Sequence, residues 1–194
     1  KDLTSAIDRI QAIPGYAPHF AAAFGSGDVI NIDNAAMAIA AYERTQITPG
    51  SAYDRYVQGD KTALTAQQLS GMKAFAETGC QACHSGAAFA GPALPMGTPF
   101  LQKFPLNADS PYVAKYDLMT DKGRFESTKD PADEHVWRVP QLRNLTHTAP
   151  YLHNGSVKTI QETVRLMASV QLGKDLPPAD VENIAAFLTS LTGE

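Results

Sequence analysis

The chain has 194 residues, of which 44% are hydrophobic, and a formal net charge of −4. This length allows one or two small domains with ordinary cores. No segment of the sequence is long and apolar enough to cross a bilayer, and the lack of a basic stripe argues against nucleic-acid binding. Two cysteines three positions apart are too few for a disulfide framework. The start at Lys1, without initiator Met or signal peptide, predicts a mature, processed or truncated polypeptide.

The hydrophobic pattern predicts two helices in the first part of the chain. Apolar residues recur at helical spacing over residues 3–10, before a Pro-Gly breaker. A second helix is predicted to start with Asp33 or Asn34 as its N-cap and to end near Thr45. Residues 48–51, Thr-Pro-Gly-Ser, have the composition of a linker.

A third helix is predicted directly before the two cysteines. Thr65 and Gln68 have the spacing of a capping box, and Gly79 is the expected end. From Ser85 to Val157 the sequence has no sustained period and contains many Gly and Pro residues. Such a long irregular stretch is unusual in a compact domain unless it wraps a large flat cofactor.

Two helices are predicted near the C-terminus. The first carries a second capping-box pattern, Thr159 to Glu162, and the last follows Pro177-Pro178 with its apolar residues on one face. The sequence shows no strong strand, so the predicted fold class is all-α.

Residues 80–84, Cys-Gln-Ala-Cys-His, form the C-x-x-C-H pattern of c-type haem attachment. The thiols of Cys80 and Cys83 add to the haem vinyl groups, and one helical turn between them lets both reach the same porphyrin edge. His84 then binds the iron as the proximal ligand, and its other ring nitrogen is expected to donate to a carbonyl of residues 90–92. A thioredoxin-like redox pair lacks its βαβ unit here, and a zinc site lacks a second ligand pair.

The second axial ligand is open on residue pattern alone, although a Met thioether would raise the haem potential. Met72 is expected in the core, and Met37 belongs to another packing unit. Met167 shares its predicted helix face with Ile160 and Val164, a spacing more typical of core residues than of ligands. The following candidates remain: Met96, Met119 and Met167, with His147 and His153 as further options.

Several segments, spread in order over the chain, resemble the bacterial di-haem cytochrome c peroxidases, a family that includes the MauG-like enzymes. These segments are residues 38–45 (AIAAYERT), 121–126 (DKGRFE), 139–144 (VPQLRN), 148–156 (TAPYLHNGS) and 167–173 (MASVQLG).

The resemblance implies two domains with different tasks. Residues 51–194 would be a cytochrome c-type electron-transfer domain with long haem-wrapping loops, and residues 1–50 the helical tail of an N-terminal peroxidatic domain. In the family, the first kind of domain takes electrons from a small cytochrome c or a blue-copper cupredoxin. It passes them to a peroxidatic haem that reduces hydrogen peroxide to water. By this match His84 is the proximal and Met167 the distal ligand; the MauG-like branch has Tyr in place of this Met.

The resemblance also implies a calcium site, bound by the backbone carbonyls of Thr148 and Pro150, and a supporting hydrogen-bond role for His153 near the inter-haem region. It implies a homodimer and calcium-dependent activation as well. A periplasmic location is expected because haem c is attached outside the bacterial cytoplasmic membrane. Trp137, the only tryptophan, is expected to pack beside the haem.

The chain departs from the family in one respect, because it has one C-x-x-C-H motif where family members have two. The second haem c and the catalytic residues are therefore expected upstream of Lys1. The alternatives are a stand-alone mono-haem c-type electron carrier, and a MauG-like haem oxidase.

Overall fold

The computed structural model describes residues 3–95 and 97–193. It contains two compact units, Lys1–Ile47 and Thr48–Glu194. Within the described residues, the α-helices are α1 Thr4–Gln11, α2 Tyr16–Phe24, α3 Ile32–Glu43, α4 Ala52–Val57, α5 Ala66–Thr78, α6 Pro111–Lys115, α7 Phe125–Thr128, α8 Ile160–Leu172 and α9 Pro178–Thr189. None of these helices has the length and hydropathy of a bilayer span.

The first unit contains the two predicted helices, as α1 and α3, and one that was not predicted, α2. The N-cap of α3 is Asn31, whose side chain accepts the Asn34 backbone N–H at 3.0 Å. The prediction of Asp33 or Asn34 was therefore wrong by two or three residues. Helix α2 has no clear signal in the sequence, although its proline, Pro18, lies in the first turn, where a helix tolerates proline.

The core of the second unit forms where α5 crosses α9. Gly71 of α5 lies so close to α9 that a Cβ atom there would be 1.8 Å from the carbonyl oxygen of Asn183. The predicted apolar face of the last helix is confirmed, because all its residues are buried: Val181, Ile184, Ala185, Leu188 and Leu191. All but Ala185 belong to the first hydrophobic cluster, whose other buried residues are Phe75, Phe89, Val164 and Phe187.

A second hydrophobic cluster lies around the other side of α8. Its buried residues are Leu118, Val157, Leu166 and Val170. Since Val164 belongs to the first cluster and Leu166 to the second, α8 contributes to both. This helix therefore connects the two parts of the second unit.

The segment predicted as irregular contains a small two-stranded sheet and two short helices, which the sequence did not indicate. Strands β1 (Leu101–Lys103) and β2 (Val136–Arg138) pair antiparallel, with Gln102 opposite Trp137. Three residues per strand are too few to produce a recognisable alternation of apolar and polar residues. The described chain remains helix-rich with little strand.

The caps of α5 agree with the sequence, whereas that of α8 agrees only in part. Thr65 and Gln68 form a complete capping box on α5. On α8, Thr159 accepts the Glu162 backbone N–H, but the Glu162 carboxylate binds Lys115 and Tyr116 instead, at 2.7 and 2.5 Å. A charged partner on a neighbouring helix replaces the second half of the predicted box.

Candidate haem-binding site

The C-x-x-C-H residues form one tight turn at the end of α5. Gly79 ends the helix in the left-handed conformation, with φ of 107°, and Cys80–Ala82 continue as a 3-10 turn. The His84 backbone N–H donates to the Cys80 carbonyl at 2.9 Å, which closes the turn. Both cysteines are free and half-buried, and burial raises the pKa of the Cys80 thiol to about 11. Attachment of a haem through two thioether bonds needs two such thiols, one turn apart and not joined by a disulfide.

The imidazole of His84 is oriented by a backbone carbonyl. Its Nδ1 lies 3.0 Å from the carbonyl oxygen of Phe89, so the prediction of residues 90–92 was wrong by one residue. Phe89 has a φ of 53°, and this left-handed turn directs its carbonyl towards the ring. Because a carbonyl only accepts, Nδ1 carries the proton and Nε2 has the free lone pair. Burial lowers the pKa of His84, against the opposing effect of the Phe89 and Pro140 carbonyls.

Met167 lies on α8, far along the chain from the cysteine-histidine turn of residues 80–84. Its half-buried side chain packs against the second cluster. The two residues predicted on its face, Ile160 and Val164, belong to the first cluster. Cys80 also packs against the first cluster, so two of the predicted haem-binding residues, Cys80 and Met167, pack against different clusters.

The other described methionines differ in how deeply they are buried. Met72 packs against the first cluster, as expected of a core residue. Met37 lies in the first unit with 52% of its surface exposed, and Met119 is 40% exposed. Met96 lies outside the described residues. Met167 is thus more buried than Met37 and Met119, and its role as a haem ligand stays a prediction.

The predicted calcium ligands lie at an exposed corner. Thr148 follows the 3-10 turn Leu145–His147, and both Thr148 and Pro150 are exposed. Across the described residues no group of three or more His, Cys, Asp or Glu side chains is placed to bind a metal. The predicted calcium ligands are backbone carbonyls, and the absence of a side-chain cluster does not test them. The calcium site therefore stays a prediction.

His153 and Trp137 form a stacked pair, with ring centroids 4.3 Å apart. His153 Nε2 and Trp137 Nε1 are buried and have no hydrogen-bond partner among the described residues. The ring contact was not predicted, because Trp137 lies in β2 and His153 in the loop that precedes α8. Whether Trp137 packs beside the haem stays a prediction.

Two further residues near the motif, Asp54 and Arg143, were not singled out by the sequence. They form an ion pair beside residues 87–89, the loop that includes Phe89. Arg143 falls in the segment 139–144 that carries the family resemblance, which is the signal that could have indicated it.

A helix-rich domain with this cysteine-histidine turn has the features of a c-type cytochrome domain. The family model described as di-haem cytochrome c peroxidase matches residues 1–62. Cytochrome c551 peroxidase of Pseudomonas aeruginosa is 46% identical over 184 residues, which are 94% of this chain and 51% of that protein. The cytochrome c peroxidase of Escherichia coli is 40% identical, over 83% of this chain and 33% of that protein.

Two MauG-like proteins are also similar. The methylamine utilization protein MauG of Methylorubrum extorquens is 30% identical, over 80% of this chain and 40% of that protein. The crystal structure of a MauG-like protein associated with microbial copper homeostasis superposes with a TM-score of 0.70 and 26% identity, over 98% of this chain and 62% of that one. Over most of its length the chain is similar to proteins of the di-haem cytochrome c peroxidase and MauG-like family. It spans about half the length, or less, of these curated relatives.

Proposed function

We propose that this chain is the electron-transfer haem half of a di-haem cytochrome c peroxidase. Cys80 and Cys83 would hold one haem c through thioether bonds, and His84 Nε2 and the Met167 sulfur would bind its iron. The observation that carries the proposal is the single turn that joins both thiols to an imidazole with its Nδ1 fixed on Phe89.

Haem c bound here supplies reversible one-electron transfer. If His84 and Met167 both bound the iron, the chain itself would supply the two remaining ligands, and the site would have no place for hydrogen peroxide. A thioether ligand keeps the potential higher than a second histidine would. Reduction of one peroxide to two waters takes two electrons and two protons, and in this proposal it occurs in the other haem domain, to which this half delivers the electrons singly.

The first unit supports the assignment of residues 1–50 as a tail of the peroxidatic domain. Three large apolar side chains of helix α3 are exposed: Met37 to 52%, Ile39 to 59% and Tyr42 to 66%. Apolar surface of this kind is typical of a helix that packs against another partner. The relatives, about twice as long, have additional chain that could provide this partner.

The electron donor in this proposal is a small cytochrome c or a cupredoxin, and the compartment is the periplasm. The second haem c, calcium at Thr148 and Pro150, and a homodimer are further parts of the family-based prediction.

The test begins with the denatured intact mass and haem content of the polypeptide from its source. A substantially larger polypeptide with two covalent haems, which oxidises reduced cytochrome c with peroxide, is the expected result. A mass equal to this chain plus one haem would instead favour the mono-haem electron carrier. Oxidation of a protein substrate without cytochrome c turnover would favour the MauG-like oxidase. A polypeptide without covalent haem would contradict all three functions.

A further inference from the structure

Asp54 of α4 and Arg143 form a two-pronged, mostly buried ion pair in the second unit. The Arg143 Nη2 and Nη1 atoms donate to Asp54 Oδ1 and Oδ2 at 2.7 and 3.0 Å. The Arg143 side chain is only 19% exposed and that of Asp54 only 16%. Ser51, which is 1% exposed, donates its hydroxyl to Asp54 Oδ2 at 2.8 Å and fixes the carboxylate further. The pair therefore has a defined geometry, which most surface ion pairs lack.

The same arginine holds the loop that orients His84. Arg143 Nε donates to the Ala87 carbonyl at 2.7 Å, and the neighbouring Leu142 backbone N–H donates to the Ala88 carbonyl at 3.3 Å. The next carbonyl, that of Phe89, accepts from His84 Nδ1. Three consecutive carbonyls are thus engaged, two by residues 142–143 and the third by the imidazole.

The chemistry of the pair suits a positioning role. A partly buried ion pair loses much of its Coulombic gain to desolvation, so stability alone is a weak reason for one. The guanidinium group is planar, and its fork and Nε point in fixed directions. One side chain can therefore tie α4, through Asp54, to the Ala87 carbonyl at a set distance, which a flexible lysine cannot do.

We propose that Asp54 and Arg143 are positioning residues for His84. They hold residues 87–89 so that the Phe89 carbonyl accepts a short, well-aligned hydrogen bond from Nδ1. Such a bond makes the imidazole a stronger electron donor to iron, which stabilises the oxidised form and lowers the potential. The inference rests on the proposed function, because it requires His84 to be the axial ligand.

The test is the charge-conserving variant Arg143→Lys in the haem-loaded protein. It keeps the positive charge but loses the fork and the Nε bond, so we expect a positive shift of the midpoint potential. We also expect the His84 Nδ1 proton to exchange faster with deuterium. This exchange is measured by NMR from the haem-shifted ring signals. The matched control is Arg124→Lys, whose parent Arg124 binds Asp133 at 2.8 Å in a more exposed pair. The control is expected to leave both quantities unchanged.

A second variant, Arg143→Gln, distinguishes the effect of the Arg143 charge from its positioning effect, because the two shift the midpoint potential in opposite directions. Arg143→Gln removes a positive charge, which by itself lowers the potential, whereas loss of positioning raises it. If Arg143→Lys matches Arg124→Lys in both readouts, or Arg143→Gln lowers the potential, the positioning role is overturned. Should Arg143→Lys fail to load haem, Asp54→Glu is measured instead, with the same positive shift expected and no shift overturning the idea. A wild-type protein without covalent haem would overturn the proposed function itself.

Discussion

Replacing Gly71 by alanine tests the packing that supports the haem-attachment turn. Gly71 lies in α5, the helix that ends at Gly79 just before Cys80. An alanine Cβ there would meet the Asn183 carbonyl oxygen at 1.8 Å and its carbon at 2.5 Å. Both atoms are backbone of α9, so no side chain can rotate out of the way and the two helices must move apart.

The expected loss of stability follows from two opposing effects. Alanine in a helix is favoured over glycine by about 1 kcal/mol. Overpacking a core typically costs about 1–3 kcal/mol, and occasionally more. Because the collision is with backbone, we place Gly71→Ala at or above the upper end of that range. The net effect is a destabilisation of about 2 kcal/mol, which is a fall in Tm of about 4–8 °C for a domain of this size.

Urea unfolding of the haem-loaded protein, followed by circular dichroism, measures this effect. The matched control is Gly15→Ala, because Gly15 has an ordinary helical φ of −64° and nothing within 4 Å of its added Cβ. We expect the control to change the free energy of unfolding by no more than about 0.5 kcal/mol. A Gly71→Ala protein as stable as the wild type would refute the close contact between α5 and α9.

Three further predictions concern the site and its surroundings. Met167→His should lower the midpoint potential and abolish the weak sulfur-to-iron band of the oxidised spectrum; survival of that band would identify another methionine as the ligand. Cys80→Ala should weaken covalent attachment, and with Cys83→Ala added the haem should be extracted by acid acetone. Resistance of the double variant would contradict the c-type assignment. Hydrogen bonds from Arg143, and secondarily from Ser51, hold the pKa of Asp54 below its ordinary value of 3.8. Its carboxylate therefore contributes stability that is complete above about pH 4 and lost as the pH falls through the lowered pKa. Asp54→Asn should flatten this part of the stability curve in urea titrations between about pH 2.5 and 6, and an unchanged acid slope would show that other carboxylates cause it.

Local signals in the sequence determined the helices that carry the site. The capping box of Thr65 and Gln68, and the glycine at position 79, act within one turn of α5, so they are visible without any tertiary information. The apolar face of α9 is equally local, because its 3.6-residue period follows from burying one side of a helix. Cys80, Cys83 and His84 needed only their spacing to indicate haem c, and the family was indicated by segments distributed along the chain.

Tertiary structure decided what holds these residues in place. The acceptor for His84 depends on the left-handed turn at Phe89, which the residue type does not predict. Arg143 and Asp54 are 89 positions apart in the chain, and only the folded structure brings their charges together. Glu162 illustrates the same limit, since its local capping role gave way to a partner on α6. The sequence by itself indicated haem chemistry and determined the helix caps of α5, because cofactor attachment and caps both use neighbouring residues. The geometry around that chemistry depends on contacts between distant segments, which form only when the chain is packed.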